Sequence, residues 1–315
     1  MIDAPTIEMA PAAFRFSGHE SFACRYAWLP KAYRAISRNP SIFFDEEEAM
    51  VEMGIGKNMV RSLRFWIDAM DVARAGANKT HVLTEFAHQV LGPDGFDPFL
   101  EDERTLWLLH WHISSKNPGL FAWRYMLGEW PYSEFTRSEA LDAFKRQSAK
   151  LGFKHSEVTL SQHLDVFIHT YYAARKGKVA IEDSLDGPLV GLGLLVLSGE
   201  KRGPSGRWEN VFSFRREPKP DITPQLFEYC VMDFWNRHAP QDRTLSLRVL
   251  ATMPSSPGQV FKLTEDDVRQ RLEDTGISNA NAAFRYQPSA VQAMISRQGV
   301  SPTLASIYNE SPKHV

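Results

Sequence analysis

Cysteine is scarce in this chain: its 315 residues include only Cys24 and Cys230. Two thiols cannot build a disulfide framework, and such sparing use fits a reducing cytoplasm. Excess charge of either sign is also lacking, the formal net charge being −2. A strongly basic coat is thereby excluded, and any contact with DNA must rely on local basic patches. No apolar run is long enough to span a bilayer, and the N-terminus lacks the basic-plus-apolar pattern of a secretion signal. Zinc-knuckle spacing, a serine nucleophile elbow and a dinucleotide fingerprint are all missing. These absences predict a soluble, cytoplasmic, non-enzymatic protein with no catalytic residue, no cofactor, no metal and no membrane contact. With 43% hydrophobic residues the chain can bury a sizeable core, and its length suggests two or three domains.

The most informative stretch is residues 45–74, DEEEAMVEMGIGKNMVRSLRFWIDAMDVAR. It reads as an acidic helix capped by Asp45, a glycine turn at Gly54 and Gly56, and a second helix starting at Lys57. On that second helix Val60, Leu63, Ile67 and Met70 form an apolar stripe broadened by Met59 and Trp66. Lys57, Arg61 and Arg64 fall three or four positions apart on another face, followed by Asp68. This is the pattern of a helix-turn-helix, whose second helix can enter the DNA major groove. Asn58 lies in the first turn, where a base edge would be met, and asparagine can pair bidentately with adenine. An ordinary amphipathic helix with a basic solvent face explains the same pattern, and the two readings stay open here. Gly54-Ile55-Gly56-Lys57 is not a Walker loop, since a charged helix precedes it and Asn58 follows the lysine.

Further helices are expected over residues 20–38, 84–91 (capped by Thr84), 102–115 and from Thr136 to about Leu151. The last opens on the capping box Thr136-Arg137-Ser138-Glu139. Residues 79–83 read as a short strand where a wing would lie, and residues 159–174 as another helix. Residues 192–197 and 208–214 flank EKRGPSGR and read as a β-hairpin. Its tip carries Lys201, Arg202 and Arg207, which can grip a phosphate backbone or serve simply as a solvated turn. After the proline-rich connector at 218–224, helices are expected over 226–237, 244–253, from Thr264 to about Asp274, and over 288–297. The resulting expectation is a mainly α fold with small β-hairpins. Tandem winged-helix or helix-turn-helix-like units occupy 14–130 and 131–217, and a C-terminal helical domain occupies 218–315.

Three segments, FSGHESFACRYAWLPKAY (16–33), MGIGKNMVRSLRFW (53–66) and DGFDPFLEDERTLWLLHW (94–111), together resemble the bacterial family catalogued as domain of unknown function 4007, DUF4007. EDSLDGPLVGLGLL (182–195) fits the later part of that pattern, so the resemblance covers most of the chain. It implies a component found near sulfur-dependent DNA-modification and phage-defence genes, often beside enzymes related to phosphoadenylylsulfate reductases. A DNA-facing or complex-assembling role follows, and the resemblance assigns no catalytic residue.

Other clusters have enzyme-like and structural readings side by side. His19-Glu20 near Cys24 could serve acid–base or metal chemistry, but Ser17 as N-cap with Glu20 completing a capping box is favoured. His110 and His112 point to different faces of a helix and fit a buried or interfacial helix better than a metal site. Asp97, Glu101, Asp102 and Glu103 could bind a cation, though capping by Asp102 in a solvated acidic turn is favoured. Trp107, Trp111, Trp123 and Trp130 could stack on unpaired bases, yet core packing is more economical. The leading expectation is therefore binding of double-stranded DNA through Lys57, Asn58, Arg61 and Arg64, with Lys201, Arg202 and Arg207 on the backbone. The alternative is an adaptor that docks a DNA-modification or defence-system protein without touching DNA.

Overall fold

The computed structural model describes residues 14–116, 119–173, 187–278, 282–289, 291–299 and 301–309. Residues 1–13, the last residue of the 159–174 helix and residues 182–186 of the EDSLDGPLVGLGLL segment lie outside them.

α1 (Trp28–Arg38) buries Trp28, Leu29, Tyr33 and Ile36 and is followed by a short 3-10 turn, Ile42–Phe44. α2 (Glu46–Met53) is capped by Asp45, whose side chain accepts from the amides of Glu47 and Glu48. That removes two of the orphan donors at the helix start. Gly54 closes α2 in the left-handed region at φ 66°, the conformation glycine reaches without a Cβ clash. α3 (Lys57–Ala69) begins where expected, and its buried residues are Val60, Ser62, Leu63, Phe65, Trp66, Ile67 and Ala69. It ends earlier than the segment 45–74 implied, because β1 (Ala73–Ala75) pairs antiparallel with β2 (His81–Leu83). Thr84 caps α4 (Glu85–Leu91), and Asp102 caps α5 (Glu103–Ser115). α5 is buried along its whole length after Glu103, with Trp107 and Trp111 at 0% exposure.

α6 (Phe121–Trp123) runs into a π-helical turn, Arg124–Glu129. β3 (Glu134–Thr136) leads into α7 (Arg137–Lys150) through the expected capping box, and α8 (Glu157–Tyr171) starts from a Ser156 cap. The hairpin β4 (Leu195–Arg202) and β5 (Trp208–Phe214) completes a three-stranded antiparallel sheet in the order β3-β5-β4. β4 runs further toward the tip than expected, so Lys201 and Arg202 lie in the strand and the turn itself is Gly203–Arg207.

α9 (Pro224–His238) is capped by Thr223. The remaining region departs from the all-helical expectation. Residues 244–246 form β6 (Thr244–Ser246) ahead of α10 (Leu247–Thr252). α11 (Pro257–Val260) and α12 (Glu265–Ser278) follow, and then β7 (Phe284–Gln287) and β8 (Met294–Arg297). The sheet order is β6-β8-β7, and Met294–Arg297 form a strand where a helix was expected over 288–297. Ile295 on β8 and Phe284 on β7 are buried, and cross-strand pairing outweighs the local helical pattern. A short α13 (Leu304–Tyr308) packs back on α5: Tyr308 bonds Thr105, and Arg104 donates to the Ile307 carbonyl. One continuous apolar cluster runs from Phe16 to Ile307. The fold is thus helices with small antiparallel sheets around a shared core, and no helix among the described residues is long and apolar enough to cross a membrane.

Candidate nucleic-acid interface

Burial of the α3 stripe leaves Lys57, Asn58 and Arg61 exposed on the opposite side, with Arg64 half-buried. The turn that joins α2 to α3 brings Glu46, in the first turn of α2, against this basic face. Its carboxylate meets the Lys57 Nζ at 2.8 Å and the Arg61 Nε at 2.7 Å, with Arg61 Nη2 at 3.4 Å. Hydrogen bonds from Arg61 and then Lys57 hold the Glu46 carboxyl down at about 2, and Glu46 raises the Arg61 guanidinium in turn. Arg64 is placed differently: its guanidinium lies 5.2 Å from the centre of the Phe44 ring. Asp68, at the far end of the face, is held by Arg15 and Lys116. The expected basic face therefore exists as a group, but it carries its own internal anion.

The hairpin residues divide into two kinds. Lys201 is tied to Glu139 of α7 at 2.7 Å, which anchors the hairpin on the helix pair. Arg202 and Arg207 are exposed and have no ion-pair partner among the described residues. Arg202 sits directly across from Trp208 in the strand register, its guanidinium 5.8 Å from the ring centre. The turn is tight because the Glu209 side chain crosses Gly203, where a Cβ would fall 1.9 Å from its carboxylate. Glu209 in turn accepts from the Ser138 amide at the start of α7.

The enzyme-like clusters are arranged otherwise than expected. Ser17 and Glu20 form no capping box, since the helix begins only at Trp28 and Glu20 has φ 51°. His19 turns inward, 1% exposed, and stacks on His163 of α8. Its Nδ1–H donates to the Glu20 carbonyl at 2.7 Å, which leaves Nε2 to accept from His163 Nδ1 at 2.8 Å. His163 Nε2 then accepts from the Ala122 amide at 3.0 Å. Burial lowers His19 to about 4 and His163 well below its ordinary value, so both rings are neutral at physiological pH. The sequence shows His19 but gives no sign of a partner 144 positions away.

Asp97 spends both carboxylate oxygens on the amides of Glu101 and Asp102, and Asp102 caps α5 while binding Arg104. Among the described residues no three histidine, cysteine or acidic side chains are grouped to hold a metal ion. His110 is fully buried between Tyr171 and the Val260 carbonyl, a structural bridge and not a ligand. The four tryptophans weighed as base-stackers are buried. Trp208, which sequence reading passed over as the start of a strand, is the tryptophan that is exposed, at 65%. Its position directly after the glycine-containing turn and Arg207 was the available signal.

A protein about half helical, with small antiparallel sheets and a helix whose exposed face is basic, is the class that fold and site define. The chain belongs to the family described as "Protein of unknown function (DUF4007)", whose model matches residues 16–307. Two solved structures resemble it over most of its length. "Magnesium ion-bound SspB crystal structure" is 27% identical with a TM-score of 0.77, covering 91% of this chain and 84% of that one. "SspB crystal structure" is 25% identical with a TM-score of 0.76, covering 95% and 88% respectively. No curated protein matches significantly.

Proposed function

We propose that this protein is a non-enzymatic, DNA-binding component of a bacterial DNA-modification or phage-defence system, and that α3 is the helix presented to the major groove. The observation that carries the reading is the geometry of the α2–α3 pair. A tight glycine turn joins them, one side of α3 is buried, and Lys57, Asn58 and Arg61 are exposed near its start. Arg61 and Lys57 are then placed for phosphates or guanine, and Asn58 for a base edge. Strand order supports winged-helix-like units: the β3-β5-β4 sheet is built from a strand, two helices and a hairpin, and the β6-β8-β7 sheet, of the same order, from a strand, three helices and a hairpin. The helices equivalent to α3 in the other two are α8 and α12, which open on Glu157 and on Glu265-Asp266-Asp267. Of these three, α3 is the one that opens on a cation, Lys57, so it is the groove-facing helix of choice.

The setting in a modification or defence system rests on the family and on the likeness to SspB. The non-enzymatic part of the reading rests on His19, Asp97 and Asp102 being engaged in local structural bonds. Metal-dependent cleavage of DNA that disappears in Glu20→Gln or Asp102→Asn would overturn that part. The deciding experiment measures binding to fluorescent duplex DNA across a salt series, beside Arg61→Glu/Arg64→Glu. Salt-sensitive binding that the folded variant lacks is expected. Equal binding by the variant would remove α3 from the interface.

A second reading, a protein-docking adaptor, draws on α2. Glu47, Glu48 and Glu52 are exposed beside Val51, which is 85% exposed, an acidic surface fit for a basic partner. Co-purification with a modification enzyme in the absence of any DNA retention would put this reading first.

A further inference from the structure

Seven of the eight tryptophans are buried, none more than 8% exposed, and Trp208 alone stands in solvent. Exposing one large aromatic ring forgoes the burial that every other tryptophan here obtains. The ring is also not loosely held. Trp208 opens β5 opposite Arg202, and the turn beside it is closed by Gly203 N–H to Arg207 O and Gly206 N–H to Gly203 O. Lys201 to Glu139 and Ser138 to Glu209 fasten both strands of the hairpin to α7. The hairpin is therefore held at both strands, with the Arg202 guanidinium 5.8 Å from the ring centre and Arg207 next to Trp208 in the chain, both exposed and unpaired by any carboxylate among the described residues.

An exposed ring with one guanidinium against it and a second exposed arginine adjacent in the chain matches one chemistry closely. A nucleobase offers a π-face to the indole while its flanking phosphates meet the guanidinium groups. A base inside a duplex has both faces covered by its neighbours and cannot do this, so the nucleotide has to be unpaired. We propose that the β4–β5 hairpin is a single-strand-binding element in which Trp208 stacks on an unpaired base and Arg202 and Arg207 hold the adjoining phosphates. This deepens the DNA-binding reading above, which assigned the hairpin only to the backbone, by naming the class of nucleic acid it takes. It rests on that reading but uses a different surface from α3.

The same residue supplies the assay. Wild-type protein is titrated with an unlabelled oligothymidine strand while tryptophan emission and its quenching by iodide are followed. Because the other seven rings are buried, the iodide-accessible emission reports Trp208. Stacking is expected to reduce that emission and shield it from iodide. Trp208→Ala is expected to weaken single-strand binding about ten-fold, the order of one lost base–aromatic stack. Trp208→Phe, followed by anisotropy of a labelled strand, keeps a ring and is expected to recover part of the affinity. A change at an exposed site should not disturb the thermal midpoint, which is measured as the folding control.

Single-strand binding unchanged in Trp208→Ala overturns the assignment of the ring. Duplex binding that depends on Arg61 without any single-strand binding overturns this inference while leaving the proposed function standing. Binding of neither form of DNA overturns both. Shielding of Trp208 from iodide only when a protein partner is added would make the hairpin a protein contact instead.

Discussion

At the scale of single residues, the buried histidines make the sharpest demands. The bonding around His19 and His163 fixes each as the Nδ1–H form, because the Glu20 carbonyl can only accept and the Ala122 amide can only donate. His110 is fixed the other way: its Nε2–H donates to the Val260 carbonyl, and its Nδ1 accepts from Tyr171, which itself accepts from Trp123. Nitrogen-15 NMR of the rings should find these tautomers, and an Nε2–H signal for His163 would break the relay. Burial lowers His19, His110, His112 and His238 to about 4, against an ordinary value of 6.5. The unfolded chain therefore takes up protons as pH falls below 6.5, and the folded chain does not until about 4. Stability from this source is full above 6.5 and is lost on acidification across that window, by up to about 1.4 kcal/mol per pH unit for each ring. Denaturant unfolding at pH 6.5 and 5.5, where carboxylates stay ionised, should reveal the loss, and a flat profile would contradict it. None of this was legible in the sequence: His19 and His163 are chemically ordinary until the fold puts them face to face.

At the scale of elements, legibility followed the range of the interaction. The caps at Asp45, Thr84, Asp102 and Thr136 are decided within three residues, and each is found where the pattern put it. Asp45→Ala should accordingly cost about 1 kcal/mol in unfolding free energy, and loosen the start of α2 in hydrogen exchange. β6, β7 and β8 were not legible, because each is only three or four residues long, and β6 exists through β8, a partner far along the chain. Pairing with β8 took only residues 244–246 from the start of the helix expected over 244–253, which stands as Leu247–Thr252, and strand pairing replaced the helix expected over 288–297. The π-helical turn after α6 is a further case of remote control. Lys262, 4% exposed, donates to the carbonyls of Met126 and Leu127, and lies 4.4 Å from the centre of the Phe214 ring. Burial pushes its ammonium down to about 7 from 10.5. Between those values the unfolded chain holds a proton that the folded chain releases, so this contribution to stability increases as pH rises from about 7 to 10.5. Lys262→Met should abolish that component of the rise, and an identical pH profile in the variant would show that the lysine does not titrate there.

At the scale of the whole molecule, near-zero net charge and local charge segregation have to be weighed together. The −2 total offers no long-range attraction to a polyanion, so affinity for DNA depends on what the α3 face can present. That face was legible in sequence as far as Lys57, Asn58, Arg61 and Arg64, since helical spacing alone groups them. What spacing could not show is Glu46, which the glycine turn carries back onto two of those cations. An exposed ion pair of this kind contributes little to folding, so its main consequence lies in binding. A phosphate approaching α3 must displace the Glu46 carboxylate from Lys57 and Arg61 and is repelled by it meanwhile. Glu46→Gln removes the anion and keeps a hydrogen-bonding side chain of the same size. It should tighten duplex binding severalfold with little change in thermal midpoint. Each neutralised phosphate contributes about 0.9 to the slope of log affinity against log salt, so three α3 cations predict a slope near −3. Unchanged affinity in Glu46→Gln together with a slope near zero would take phosphate contact away from α3 and shift the weight to the acidic face of α2 as a protein-docking surface.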